Sequence, residues 1–279
     1  MRFVFLLACL AACTDSKPPA PPARANAVVS LLPAFTEQVV ALGAADRLVG
    51  CTEYCRPPHD VARVAWRDAA AAEAILRLKP DLVLRQAPRR AEDALRDVLE
   101  ANGVPVLSLP TETIADVERS ITAIGKALGE GAKAEERLED FQRRLVHARA
   151  RARGRTPRAV LFVINRDAGR AANVMAAGPG TFLDELIRFA GGRNVLAAFT
   201  TPYPTLRLET LVRLKPQVVI DNLPGEADHA AAWEHLRKLG VPAVLDGRVF
   251  AVRDNTLLIP GPRIPEAIEK LVEMIHGDA

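Results

Sequence analysis

Two stretches of this chain are near copies of each other. The segment from Glu73 to Leu84 reads Glu-Ala-Ile-Leu-Arg-Leu-Lys-Pro-Asp-Leu-Val-Leu, and the segment from Glu209 to Ile220 reads Glu-Thr-Leu-Val-Arg-Leu-Lys-Pro-Gln-Val-Val-Ile. Each copy reads as a short helix, a Lys-Pro break and a buried strand. An aromatic residue, Trp66 or Tyr203, precedes each glutamate, and a Gly-Val-Pro follows each copy, at Gly103 and at Gly240. Two copies of one α/β unit imply two similar lobes. Two lobes make a cleft, and each brings an aromatic and a carboxylate to equivalent places.

The remaining pattern agrees with such a fold. Apolar strands at 27–32, 48–51, 82–84 and 104–109 alternate with helices at 36–42, 70–78 and 91–101, which implies parallel sheets covered on both faces. A polar helical stretch follows from Thr113 to about Arg153, with a break at Gly129-Glu130-Gly131. Its later part carries Leu138, Phe141 and Leu145 three and four apart, a narrow apolar stripe on a solvated helix. That helix, 131–156, is the natural connector between an N-terminal lobe at 27–130 and a C-terminal lobe at 157–279. The second lobe opens with a strand at 159–164, has a helix start at Thr181 with Asp184 three residues on, and closes with a helix at 263–275.

A hydrophobic content of 49% supports sizeable cores. The 37 basic residues against 34 acidic give a net charge of +3, with Lys and Arg reading as scattered; nothing in that balance marks a nucleic-acid partner. Arg2 precedes an apolar run, Phe3 to Leu10, too short to span a bilayer permanently. Residues 1–12 are a targeting segment. Leu10-Ala11-Ala12-Cys13 resembles a bacterial lipobox, which implies cleavage before Cys13, a lipid on its sulfur and a lipoprotein at the periplasm or cell surface. Residues 13–26, rich in Pro and Ala, read as a semi-rigid tether.

Cys51 and Cys55 then remain in an oxidising compartment. A disulfide, a metal site completed by His59, or two free thiols all satisfy their spacing, although Pro57 and Pro58 favour a loop over a ligand-bearing helix. Enzyme signatures are absent from the sequence: no Gly-x-Gly-x-x-Gly after a strand, no Gly-x-Ser-x-Gly, no Walker motif and no His-Glu-x-x-His. Gly178-Pro179-Gly180 lacks the third glycine. A bilobal shape also suits nucleotide-sugar enzymes, the alternative of a different class.

Several segments together resemble a known family. They are Val29 to Glu37, Thr52 to Pro58, the two Leu-Lys-Pro units, Thr181 to Glu185 with Ala190-Gly191-Gly192, and Gly261 to Ile264. They are similar to the helical-backbone substrate-binding proteins of ABC importers, which serve cobalamin, iron–siderophore and haem uptake. The resemblance implies two Rossmann-like lobes joined by a single long helix, a ligand cleft between them, and small opening motions. It implies a monomer that works with a membrane permease and its ATPase and keeps no resident cofactor.

Within the family the likeness is to the cobalamin-binding members. By position it implies ligand contacts from Tyr54, Trp66, Gln86, Tyr203 and Asp254, with Gln86 standing where those proteins carry a tryptophan. The loop after Ile164 also lacks their phenylalanines. Glu73 and Glu209 become the anchors for permease arginines, one per lobe. An anionic siderophore would instead call on Arg85, Arg166 and Arg253. Trp233, inside a helical pattern, reads as packing.

Overall fold

The computed structural model describes residues 19–66, 70–88, 93–222, 229–252 and 255–277. The first half runs β1 (Val28–Ser30), α1 (Pro33–Ala41), β2 (Leu48–Cys51), β3 (Ala62–Arg63), α2 (Ala70–Arg77), β4 (Leu82–Gln86), α3 (Ala94–Ala101), β5 (Val106–Leu109) and α4 (Ile114–Leu128). Then α5 (Gly131–Ala150) leads to β6 (Ala159–Asn165), β7 (Val174–Ala176), α6 (Phe182–Phe189), β8 (Arg193–Asn194), β9 (Thr205–Leu206), α7 (Leu208–Leu214) and β10 (Val218–Asp221). The chain closes with α8 (His229–Glu234), α9 (Pro242–Leu245), β11 (Val249–Ala251) and α10 (Ile264–His276).

The strands form two sheets. The first has the order β3-β2-β1-β4-β5 and is parallel throughout. The second has the order β11-β10-β6-β7-β9, with β8 also paired to β6. Here the expectation of purely parallel sheets fails, because β7 runs antiparallel to both β6 and β9. Too few residues separate β6 from β7 to hold a crossover helix, so the chain turns back. Asn173, at φ 48°, takes the left-handed conformation in that turn.

The repeated segments are α2 with β4 and α7 with β10, and they share one unusual joint. Lys79 and Lys215 both lie in the left-handed region, at φ 48° and 45°. A left-handed residue ends a helix and the next proline cannot continue it, so each Leu-Lys-Pro turns its chain abruptly into a buried strand. Leu82 to Leu84 and Val218 to Ile220 are fully buried.

Gly129, at φ 70°, separates α4 from α5. The apolar stripe of α5 faces inward as its spacing predicts, with Phe141 and Leu145 buried and Leu138 packed on the same cluster. α5 lies along α4, with Gly125 of α4 close against Ala134, and along α10, where Arg144 pairs with Glu266 and Arg151 with Glu273 at 3.2 Å. One apolar cluster therefore runs through both halves. It includes Val28 and Leu82 of the first sheet, Phe162 and Ile220 of the second, and Ile121, Phe141, Ile268 and Leu271 of the helices between. Polar contacts cross the same junction: Arg263 donates to Glu37 at 2.5 and 3.1 Å, and the Ile114 amide donates to Glu185 at 2.6 Å.

The reading of basic residues as scattered also fails at one place. Arginine stands at 143, 144, 149, 151, 153, 155 and 158, with no Asp or Glu between them. These residues gather at the C-terminal end of α5.

Candidate functional site

Parallel sheets present their loops at the carboxyl ends of the strands, and ligands of open α/β folds bind there. The first sheet sends four such loops to one place: Leu31 to Pro33 after β1, Thr52 and Tyr54 after β2, Trp66 after β3, and Ala87 and Pro88 after β4. Tyr203 arrives from the second half of the chain and completes a cleft of about 460 Å³. That volume lies within the range of small-molecule sites. The walls are mainly apolar, and Tyr54 and Trp66 stay 53% and 38% exposed. Large aromatic faces left this open inside a concave wall are available to stack on a ligand.

Each wall residue has a local reason to be where it is. The Tyr54 loop is a turn closed by the Cys55 amide on Thr52 O at 3.1 Å. Arg63 clasps this loop from below. Its Nη1 donates to Thr52 O at 3.0 Å, Cys55 O at 3.2 Å and Cys51 Sγ at 3.1 Å. Sequence reasoning missed Arg63, because nothing in its local pattern links it to a loop that precedes it.

The structure carries Cys51 and Cys55 as buried free thiols. The Thr52 hydroxyl lies 3.2 Å from Cys55 Sγ, which gives this sulfur its own partner. Burial, then the neighbouring Cys55, pushes the Cys51 thiol up to about 11, against the pull of Arg63. It is a protonated structural thiol at neutral pH. His59 is exposed while both sulfurs are buried, and among the described residues no three His, Cys, Asp or Glu side chains gather as a metal site.

Tyr203 sits just before β9, in a segment held antiparallel against the chain around β7. Pro202 O accepts from the Gly178 amide at 2.7 Å, and Pro204 O accepts from the Ala176 amide at 3.0 Å. A Cβ on Gly178 would lie 2.5 Å from Thr201 O, so only glycine allows this approach. That is the role of a glycine that matched no phosphate-binding pattern.

Gln86 ends β4 at the cleft, and its Nε2 donates to the buried Thr111 hydroxyl at 2.8 Å. This leaves a polar edge where the resemblance implies a position facing ligand. Thr111 was a second residue missed by sequence, since its partner lies on the neighbouring strand.

The arginines are disposed differently from the anionic-ligand expectation. Arg85 lines the cleft but its guanidinium pairs with Asp93, the N-cap of α3. Arg166 is corrected outright. Its side chain is wholly buried and binds Asp221 through Nε at 3.1 and 3.0 Å and through Nη2 at 2.8 Å. The same carboxylate meets His229 Nδ1 at 2.9 Å and Trp233 Nε1 at 3.0 Å. Asp221 ends β10 and Arg166 follows the adjacent β6, so strand pairing brings them together. Trp233 is fully buried, as its helical pattern predicts. Asp254, Arg253 and Cys13 lie outside the described residues.

Glu73 and Glu209 occupy the first turns of α2 and α7. Both are exposed. Glu73 meets only the exposed Arg77, at 2.5 Å, and Glu209 makes no ion pair among the described residues. Each of these helices feeds the starting end of a parallel strand, so its own N-terminus lies toward the carboxyl edges that carry the cleft.

Known proteins share this fold. A vitamin B12-binding protein of Vibrio cholerae is 26% identical over 280 residues, covering 97% of this chain and 96% of its own. An uncharacterised ABC transporter substrate-binding lipoprotein of Bacillus subtilis, YvrC, is 27% identical over 261 residues, 90% of this chain and 80% of its own. Among solved structures, the periplasmic vitamin B12-binding protein BtuF of Vibrio cholerae superposes with a TM-score of 0.78 at 25% identity, covering 91% of this chain and 98% of its own. The periplasmic haem-binding protein BhuT, solved with two haems, gives 0.76 at 29% identity, covering 89% and 97%. The periplasmic binding protein family matches residues 28–254, the span that holds both sheets and every described wall of the cleft, and this chain is a member of that family.

Proposed function

We propose that this protein is a lipid-anchored substrate-binding protein that captures a corrinoid, cobalamin first, and delivers it to an ABC permease and its ATPase. It acts as a monomer in the periplasm or at the cell surface, held through Cys13. The observation that carries the ligand class is the cleft itself. Tyr54 and Trp66 from one lobe face a space shared with Tyr203 from the other, and the lining cation Arg85 is already held by Asp93. Such walls favour a broad, flat ligand without strong negative charge, which gains from apolar burial and stacking. Gln86 offers an amide to a ligand with an amide-rich rim. The vitamin B12-binding relatives support the same choice.

Haem is the second reading, favoured by one observation besides its own relatives. Tyr54 and Tyr203 bring two phenols to the cleft, and a tyrosine oxygen is a known axial ligand of haem iron.

The test is titration of the purified protein with cyanocobalamin, cobinamide, haemin and ferric siderophores, following tryptophan fluorescence and visible absorbance. Corrinoids should quench Trp66 at micromolar concentration or below. Trp66→Ala and Tyr203→Ala should each weaken binding by about 1–2 kcal/mol, through lost burial and lost stacking. Silence toward corrinoids, with a haem absorbance shift abolished by Tyr203→Phe, would replace corrinoid by haem.

A further inference from the structure

The end of α5 and the turn after it carry an uncompensated basic surface. Arg143, Arg144 and Arg151 are tied to carboxylates of α5 and α10, and Arg158 donates to Ile275 O. Arg149, Arg153 and Arg155 are exposed and have no carboxylate partner among the described residues. Arg149 instead lies over the Phe189 ring, 4.1 Å from its centroid. Arg188 reaches the same place from α6, bound only at 3.6 and 3.8 Å to Glu185 and Asp184. Arg149, Arg153, Arg188, Phe189 and Val146 line a shallow groove of about 360 Å³, and Val146 is an apolar side chain 62% exposed among these charges. The potential reaches inward. Burial, and then Arg158, Arg155 and Arg248, hold the His276 imidazole below its usual range despite its hydrogen bond to Ala190 O.

From this surface we infer a second point of membrane attachment: the arginine groove at the end of α5 docks on the phosphate-bearing headgroups of an anionic bilayer. The inference rests on the proposed extracytoplasmic, membrane-tethered location. Charge complementarity selects the occupant, since a tethered protein spends its life within reach of an anionic surface, and each basic residue near such a surface adds attraction. Planar guanidinium groups suit phosphate oxygens, and an exposed apolar residue among them suits the headgroup boundary. The place in the fold adds to this. The tether enters at the other end of the molecule, where the Ala25 amide donates to Ala127 O at the end of α4. The length of α5, roughly 30 Å at 1.5 Å per residue, separates the two. Lipid at one end and arginines at the other would lay the protein lengthwise on the bilayer.

The test uses the chain from Thr14 onward, which keeps both sheets and all helices but lacks the lipidated cysteine. Co-sedimentation with phosphatidylcholine vesicles is compared with vesicles containing phosphatidylglycerol. Binding to the anionic vesicles alone is expected, falling steeply as salt rises from tens to hundreds of millimolar. Triple substitution R149E/R153E/R155E should weaken it at least tenfold while corrinoid titration of the cleft is unchanged. The neutral variant R149Q/R153Q/R155Q, which introduces no new repulsion, should fall between. Equal binding by the triple variant overturns the inference, as does absence of binding to anionic vesicles. Inorganic phosphate at low millimolar concentration should not displace the protein; if phosphate binds and vesicles do not, the groove is a small-anion site and the membrane role is lost. A cleft that keeps its ligand throughout leaves the proposed function standing on its own evidence.

Discussion

The thiols beneath Tyr54 behave as structure. A Cys51 raised to about 11 has almost no thiolate at neutral pH, and both sulfurs are buried. Native protein should therefore resist iodoacetamide at pH 8, and unfolded protein, with no reductant added, should take up two equivalents on the mature chain. Uptake of none after unfolding would mean a disulfide. The residues that line the cleft were legible by two routes: the repeat singled out Trp66 and Tyr203, while Tyr54 and Gln86 came only from the family resemblance, position by position. What escaped was chemistry between distant positions. Arg63 serves a loop that precedes it, and Arg166, sited after a strand as a ligand-binding arginine would be, is captured by the carboxylate that ends the next strand. Burial and pairing of that kind depend on which strands become neighbours, which local pattern does not encode.

Among the elements, helices and long strands followed their periodicity closely. The strand Val218–Asp221 and the closing helix were legible to within a residue or so. The short pairings β3, β8 and β9 were not, because two residues carry no period. The start of α4 shows a signal that was present and unused. Thr113 Oγ1 accepts from the Asp116 amide at 3.1 Å, while Asp116 Oδ2 accepts from the Thr113 amide at 2.9 Å. This reciprocal cap fastens the helix that leads from the first lobe to the connector. Burial opposes the Asp116 charge, but the Thr113 hydroxyl and Arg119 outweigh it and hold the carboxyl below its usual range. Thr113→Ala should cost about 1 kcal/mol in a urea titration. The folded value is lowered, so the stabilisation from Asp116 is fully present above the ordinary carboxylate value of 3.8 and is lost as pH falls through the lowered one. The penalty of the Thr113→Ala variant should shrink in that acid window; a penalty constant with pH would mean that the threonine hydroxyl acts without the carboxylate.

At the scale of the whole molecule, the repeat bears on Glu73 and Glu209, the proposed permease anchors. They occupy the same place in two related units, and both are exposed. A partner with its own twofold relation would meet both at once. The double substitution Glu73→Ala with Glu209→Ala should leave corrinoid affinity and thermal stability nearly unchanged in the free protein. It should lower uptake in cells and weaken binding to the reconstituted permease by a few kcal/mol, the scale of close interfacial charge pairs. Each single variant should lose part of this. Full transport by the double variant would leave both as solvated helix-end charges, and a matching loss of corrinoid affinity would place them in the binding site.

The continuous interior across both sheets has a kinetic meaning. Two halves that share Leu82, Phe141 and Ile220 in one packed cluster resist swinging apart. A core of this kind predicts a cleft mouth much the same before and after capture, with the seat for a ligand already built. Encounter becomes a matter of diffusion and orientation, and little is left for a slow closing step. Discrimination between related ligands must consequently be expressed in how long each one stays. If the chain hands its ligand to a transporter as proposed, the work of release falls to the partner rather than to relaxation of this protein.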